Sequence, residues 1–148
     1  MSDARQELIE LVREKSFFTG DFTLASGKKS PYYIDCRLTT LDARGACLIG
    51  KVLLEQINAE AASRGLEIAA VGGMTMGADP ISVAVSMSSH LAGQDPVLHA
   101  FVVRKEPKGH GQGKQVEGNF KEGDLVVAIE DVITTGGSTL KALEALER

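Results

Sequence analysis

The sequence is short of several things, and each shortage excludes a class of protein. It has no tryptophan and only two cysteines, Cys36 and Cys47. Two unpatterned cysteines cannot make a disulfide framework or a zinc site, so a reducing cytoplasm is the expected setting. No apolar run approaches the roughly 18–20 residues that span a membrane. The first stretch, MSDARQELIELVREK, is charged and amphipathic and has no secretory apolar core. A basic surplus is missing too. The formal net charge of −4 argues against a nucleic-acid partner held by bulk electrostatics, while leaving local basic patches open. There is no internal repeat and no low-complexity tract. What is there is ordinary globular composition, 43% hydrophobic and 24% charged over 148 residues. That length predicts one domain burying roughly two-thirds of the surface its unfolded chain exposes.

Periodicity predicts alternating elements. Asp3 can cap a first helix, with Gln6 three residues on and an apolar stripe at Ala4, Leu8, Leu11 and Val12. Between Phe17 and Thr40, FTLAS and PYYID flank GKK, a strand–turn–strand pattern. Tyr32 and Tyr33 are read there as packing, and Lys28 and Lys29 as an exposed turn. Asp42 opens a long helix that stops at Gly65. IAAVGGM has the continuous apolar character of a strand buried on both faces. Asp79-Pro80 is a helix start and Gly93 its close. LHAFVVRK and DLVVAIED are further strands, and a last helix runs from Gly136 to the final residue. His90 and His99 fall in a helix and a strand and are read as structural. Strands joined by helices predict an α/β fold with a parallel twisted sheet flanked by helices, whose ligands bind beyond the carboxyl ends of the strands. Three loops leave at that edge: Gly72 to Gly77, Arg104 to Gly118, and Glu130 to Thr139.

The third loop carries the chemistry. In VVAIEDVITTGGST an apolar strand ends on two carboxylates, Glu130 and Asp131, and then on Val132, Ile133, Thr134, Thr135, Gly136, Gly137 and Ser138. A Gly- and Thr-rich turn at a helix N-terminus presents N–H groups and hydroxyls where the helix dipole favours an anion, which suits a phosphate. No lysine follows the glycines, so a Walker-type triphosphatase is disfavoured, and a G-x-G-x-x-G fingerprint is absent. Carboxylates beside a phosphate must face something else: sugar hydroxyls, which donate, or Mg²⁺. Phosphate, diol and metal together describe a phosphorylated ribose carrying a pyrophosphate. In the second loop Arg104, Lys105, Lys108 and His110 all bear donors for phosphate, on a glycine-rich segment able to close over a ligand.

VVAIEDVITTGGST resembles the phosphoribosyl-pyrophosphate (PRPP) motif of the type I phosphoribosyltransferases. FTLASGKKSPYYID is similar to the N-terminal signature of the orotate phosphoribosyltransferases within that family, VGGMTMGADPI to their pyrophosphate loop, and RKEPKGHGQGKQVEG to their mobile catalytic loop. The four stretches stand in the family's order between Phe22 and Thr139. The resemblance implies the type I phosphoribosyltransferase fold over residues 1–148, with a small N-terminal hood and helix in 1–40 and an α/β core in 41–148. It implies transfer of ribose 5-phosphate from PRPP to orotate in a cytoplasmic homodimer, with Mg²⁺ as cofactor and neither nucleic acid nor membrane as partner. By the same resemblance Lys108 and Asp131 are catalytic, and Arg104, Lys105, Lys108, His110 and residues 130–138 bind PRPP. Thr134 also contacts orotate, the loop 104–118 is shared across the dimer, and Met74-Thr75 matches a non-proline cis peptide. Mg²⁺ is held mainly by substrate, with Asp131 as the candidate protein ligand.

Three departures qualify this. Ala25 and Met76 stand where the family often carries lysine. Family members also continue past position 148 with further C-terminal elements, including an orotate-binding arginine that Arg148 does not match. The alternative reading is a PRPP-sensing regulator of the same fold, which would not need the long cationic loop. A purine or uracil phosphoribosyltransferase is disfavoured by the orotate-type N-terminal stretch.

Overall fold

The computed structural model describes residues 3–24, 27–106 and 114–148. In chain order the elements are α1 (Asp3–Lys15), β1 (Phe17–Thr23), β2 (Lys29–Ile34), α2 (Arg37–Thr40), α3 (Ala43–Arg64), β3 (Ile68–Met74), α4 (Ala78–Leu91), β4 (His99–Val103), β5 (Val116–Gly118), β6 (Leu125–Ala128) and α5 (Gly137–Leu146). The long helix α3 has the ends its sequence predicts. Asp42 Oδ1 accepts the Gly45 N–H at 2.9 Å, and Gly65 closes the helix in the left-handed region at φ 63°. Helix α4 starts differently from expectation. Gly77 is its cap, and Asp79 lies inside the first turn, where Oδ2 accepts the Gly77 N–H at 3.2 Å. Pro80 is tolerated there because N–H groups of the first turn have no helical partner to lose.

The main sheet has the order β5–β4–β3–β6, with β3 parallel to both β4 and β6. The edge strand β5 runs antiparallel to β4, pairing Val116 with Val103 and Gly118 with Phe101. The sheet is therefore mixed, and the segment 104–118 is not one loop from end to end. A chain that turns back without a crossover helix can only pair antiparallel. Side-chain alternation along β3 splits the core in two. Ala70 and Met74 join Phe101, Val103, Ala142 and Ala145 on the α5 face. Val71 joins Leu54, Val85 and Leu98 on the α3–α4 face.

Gly72 and Gly73 belong to β3, so the first loop begins at Thr75 rather than at Gly72. Both positions are filled by neighbouring backbone. A β-carbon on Gly72 would lie 2.2 Å from the Phe101 carbonyl oxygen, and one on Gly73 would lie 2.0 Å from that of Ile129.

The two-stranded sheet β1–β2 stands apart from the main sheet. Its first strand begins at Phe17, ahead of the expected FTLAS, because FFTGDFT supplies the rings that pair across the hairpin. Phe17 stacks on Tyr32 with centroids 5.8 Å apart, and Phe22 meets Tyr33 at 5.6 Å. Tyr32 and Tyr33 are thus packing residues, yet both stay exposed, at 50% and 40%. The base of the hairpin is pinned to its neighbours. Asp35 N–H donates to the Ser16 carbonyl at 2.9 Å, and the buried Ser16 and Thr39 hydroxyls share a hydrogen bond of 2.6 Å. The short helix α2, which holds Thr39, has too few residues to show a periodic signal in sequence. Among the described residues, no helix is long and apolar enough to cross a membrane.

Candidate active site

Because β4, β3 and β6 are adjacent and parallel, their carboxyl ends open side by side. Thr75 N–H donates to the Val103 carbonyl at 2.9 Å, tying the loop after β3 to the end of β4. Ile129 N–H donates to the Gly72 carbonyl at 2.7 Å and carries the β6 ladder one residue further. The chain then leaves the sheet at Glu130 and Asp131, both half-buried.

The two carboxylates face different partners. Glu130 Oε2 accepts from Thr139 Oγ1 at 3.2 Å, joining the two ends of the polar loop. Asp131 stands against Gly77, where a β-carbon would lie 2.6 Å from Oδ1. Met76, on the loop after β3, is 92% exposed. The non-proline cis peptide expected at Met74-Thr75 lies one bond later, at Thr75–Met76.

Residues 132–138 form the turn into α5. Val132, Ile133, Thr134 and Thr135 are exposed, Gly136 takes the left-handed region at φ 77°, and Gly137 and Ser138 open the helix. No side chain caps that helix, which leaves its first N–H groups available to a ligand. Together with Glu130 and Thr139 these residues line a cavity of about 40 Å³. That space suits a group of a few heavy atoms, not a whole nucleoside. A larger groove of about 600 Å³ runs between α3 and β6, lined mostly by apolar residues such as Leu53, Ile57 and Val127. Its lining carries few groups able to hold a phosphate or a sugar.

The cationic segment is described only at its two ends. Arg104 and Lys105 are exposed beyond β4, while Lys108 and His110 lie outside the described residues. Arg104 Nη1 pairs with Glu117 at 3.0 Å, and the Arg104 N–H donates to the Gln115 carbonyl at 2.9 Å. Arg104 thus braces the base of the segment as well as supplying charge there.

One group near the acids was missed in sequence. Asp35, Cys36 and Arg37 follow β2, and the carboxylate of Asp131 acts through space on both Cys36 and Arg37. Burial first, and then the charges of Asp131 and Asp35, push the Cys36 thiol above its ordinary value. The hydrogen bond from Arg37 holds the Asp35 carboxyl below the usual carboxylate range. The Asp-x-Arg spacing was the available signal, but it sits at the tail of a strand and looks like a surface ion pair. The carboxylate of Asp131 is thus close enough to the end of the hood for its charge to act on Cys36 and Arg37.

No family profile matches the chain. Known proteins do. The orotate phosphoribosyltransferase of Rhodopirellula baltica is 55% identical over 141 residues, spanning 95% of this chain and 72% of the relative. The crystal structure of Mycobacterium tuberculosis orotate phosphoribosyltransferase with Fe(III) dicitrate superposes with a TM-score of 0.78 at 40% identity, over 97% of this chain and 76% of that one. The same enzyme in complex with 5-phospho-alpha-D-ribosyl 1-diphosphate gives 0.73 at 38% identity, over 97% and 74%.

Proposed function

Because the chain belongs to the orotate phosphoribosyltransferase family of transferases, we propose that it transfers ribose 5-phosphate from PRPP to orotate. The products are orotidine 5′-monophosphate and diphosphate, a step of pyrimidine synthesis. The observation that carries this reading is the position of Asp131. It stands between a polar loop with an uncapped helix start and the backbone of Gly77. A relative of known structure binds PRPP, which fits a site built for phosphate beside a diol.

In this reading a ring nitrogen of orotate attacks the anomeric carbon as the bond to diphosphate breaks; the bonding pair leaves with diphosphate, and the proton of that nitrogen passes to the departing diphosphate or to solvent. The transition state resembles an oxocarbenium ion, so no protein nucleophile is required. Glu130 and Asp131 accept hydrogen bonds from the ribose hydroxyls and fix the ring. Residues 134–138 hold the 5′-phosphate, and Thr134 also borders orotate. Lys108, with Arg104, Lys105 and His110, offsets the negative charge that grows on diphosphate, the kind of electrostatic stabilisation worth most in a site closed to water. Among the described residues no three metal-ligating side chains gather, while two adjacent carboxylates, Glu130 and Asp131, stand where the chain enters the polar loop. That donor set suits Mg²⁺, which keeps its waters and binds through one or two carboxylates and substrate phosphates. Asp131 would hold it, and the ion would supply positive charge to the diphosphate. The enzyme acts in the cytoplasm as a homodimer, with residues 1–40 as a hood over 41–148 and the loop 104–118 shared between subunits.

The test is a spectrophotometric assay of orotate consumption with PRPP and Mg²⁺. Loss of orotate with stoichiometric release of diphosphate is expected. PRPP binding without any turnover would instead favour a sensor of the same fold.

A further inference from the structure

Glu130 stands where two hollows meet. It lines the apolar groove between α3 and β6 and also the small cavity of the polar loop, so its side chain has two directions open to it. One hydrogen bond settles which it takes. Thr139 Oγ1 donates to Glu130 Oε2 at 3.2 Å, and among the described residues no other group holds that carboxylate. Thr139 is half-buried in the first turn of α5, while Glu130 follows β6. The bond therefore runs from the end of a strand to the start of a helix and closes the loop between them into a ring. Its donor is stiff. A helical threonine has few side-chain rotamers, and its hydroxyl commonly turns back to a carbonyl one turn earlier. Here it turns to the carboxylate instead. The first bond within α5 is made by the Leu140 N–H, to the Gly136 carbonyl at 2.9 Å. The N–H groups of Gly137, Ser138 and Thr139 come before it and have no acceptor within the helix. A carboxylate left loose beside them would compete with an anion for these donors.

We propose that Thr139 is a positioning residue for the donor sugar: its hydroxyl holds Glu130 on the loop side, aimed at the ribose hydroxyls and off the helix N–H groups that take the 5′-phosphate. This rests on the PRPP-binding reading of the loop. Thr139 touches neither sugar nor phosphate in this arrangement and acts through Glu130. A hydroxyl has a single proton to donate, whereas a carboxylate has several acceptor positions, so the bond to Oε2 leaves Oε1 for the sugar. Without the hydroxyl the carboxylate can swing toward the groove or toward the helix start. In the first case the sugar loses a fixed acceptor, and in the second the phosphate meets a competing charge.

The test measures PRPP affinity of the whole chain by calorimetry with Mg²⁺ present, and thermal melting to show that each variant folds. Thr139→Val keeps the branched shape without the hydroxyl and should weaken PRPP binding about fivefold, as expected for loss of one side-chain hydrogen bond. Thr139→Ser keeps the hydroxyl and should stay within about twofold of the wild type. Glu130→Ala removes the group that Thr139 positions, so adding Thr139→Val to it should cost less than about twofold more. If Thr139→Val does not fold, Thr139→Ala takes its place in the same cycle. Unchanged PRPP affinity in the variant without the hydroxyl overturns the proposal. An equal loss with and without Glu130 also overturns it, because the hydroxyl then acts on the ligand or the fold and not through the carboxylate. Failure of Thr139→Ser to preserve binding does the same. A wild-type chain that does not bind PRPP removes the underlying reading and the proposal with it.

Discussion

The backbone of Gly77 and the carboxylate of Asp131 are in contact: a β-carbon at Gly77 would lie 2.6 Å from Oδ1 and 3.2 Å from Oδ2. The two residues are far apart in sequence and arrive from different strands. Their meeting couples the backbone loop after β3 to the acid pair after β6. Any group at position 77 larger than hydrogen must displace the carboxylate.

Gly77→Ala therefore separates function from stability. The atoms in the way are the end of a side chain, which can rotate aside, so the melting temperature should change by no more than a few degrees. The Asp131 carboxylate would then sit about 1 Å or more from its working position, a displacement able to cost on the order of 100-fold in rate. Steady-state kinetics with PRPP should show that fall in kcat/KM. Wild-type kinetics in this variant would mean that the position of Asp131 does not matter to the reaction.

Gly72→Ala should do the opposite. Its β-carbon would meet the Phe101 carbonyl oxygen at 2.2 Å and the Phe101 ring at 2.5 Å. The carbonyl is part of the β3–β4 ladder and cannot rotate away, so the strands must separate. Overpacking of this kind costs about 1–3 kcal/mol. Urea unfolding should show it as a lower midpoint, and an unshifted midpoint would mean the sheet relaxes at no cost.

These glycines also mark how far the sequence could be read. Strands β3, β4 and β6 and helix α3 were legible because period and caps agree: Asp42 and Gly65 bound α3, and IAAVGGM is apolar throughout. The polar loop at 132–138 was legible because its residue types have few other uses at the end of a strand. What the sequence could not give depends on contacts made across the fold. That Gly72 and Gly73 belong to the strand follows from Phe101 and Ile129 lying against them. Strand β5 is three residues long and has no pattern of its own until Val103 and Phe101 pair with it. The nearness of Cys36 and Arg37 to Asp131 is likewise a consequence of where the hood settles.

Cys36 reports that nearness directly. Its thiol is held above the ordinary value by burial and by the charges of Asp131 and Asp35. A raised value means less thiolate at any given pH, so the alkylation profile of Cys36 should rise at higher pH than that of an unperturbed cysteine. Asp131→Asn removes one of the charges opposing ionisation, and the profile should move to lower pH. Rates of iodoacetamide labelling at Cys36, followed by mass spectrometry of the peptide across pH 7–10, would show the shift. If the wild-type and Asp131→Asn profiles coincide, the two groups are not coupled.

The last expectation concerns Lys108, proposed to act in the partner subunit's site. Its segment is pinned at both ends, since Arg104 and Gln115 pair through the backbone at 2.9 Å and Gln115 Nε2 donates to the Arg104 carbonyl at 3.1 Å. The residues between them can extend roughly five out and five back, a reach of at most about 17 Å from the sheet edge. That distance is enough to cross a close interface but not to wander over a whole subunit. The test uses two inactive homodimers, Lys108→Ala and Asp131→Asn, mixed under conditions of subunit exchange. If the loop serves its partner, each mixed dimer has one site with both defects and one site with neither, so activity should return to about half the wild-type value in a pure mixed dimer. If the loop serves its own subunit, every site retains one defect and the mixture stays inactive. Native mass spectrometry confirms the exchange, and no recovery in a confirmed heterodimer rules the shared site out.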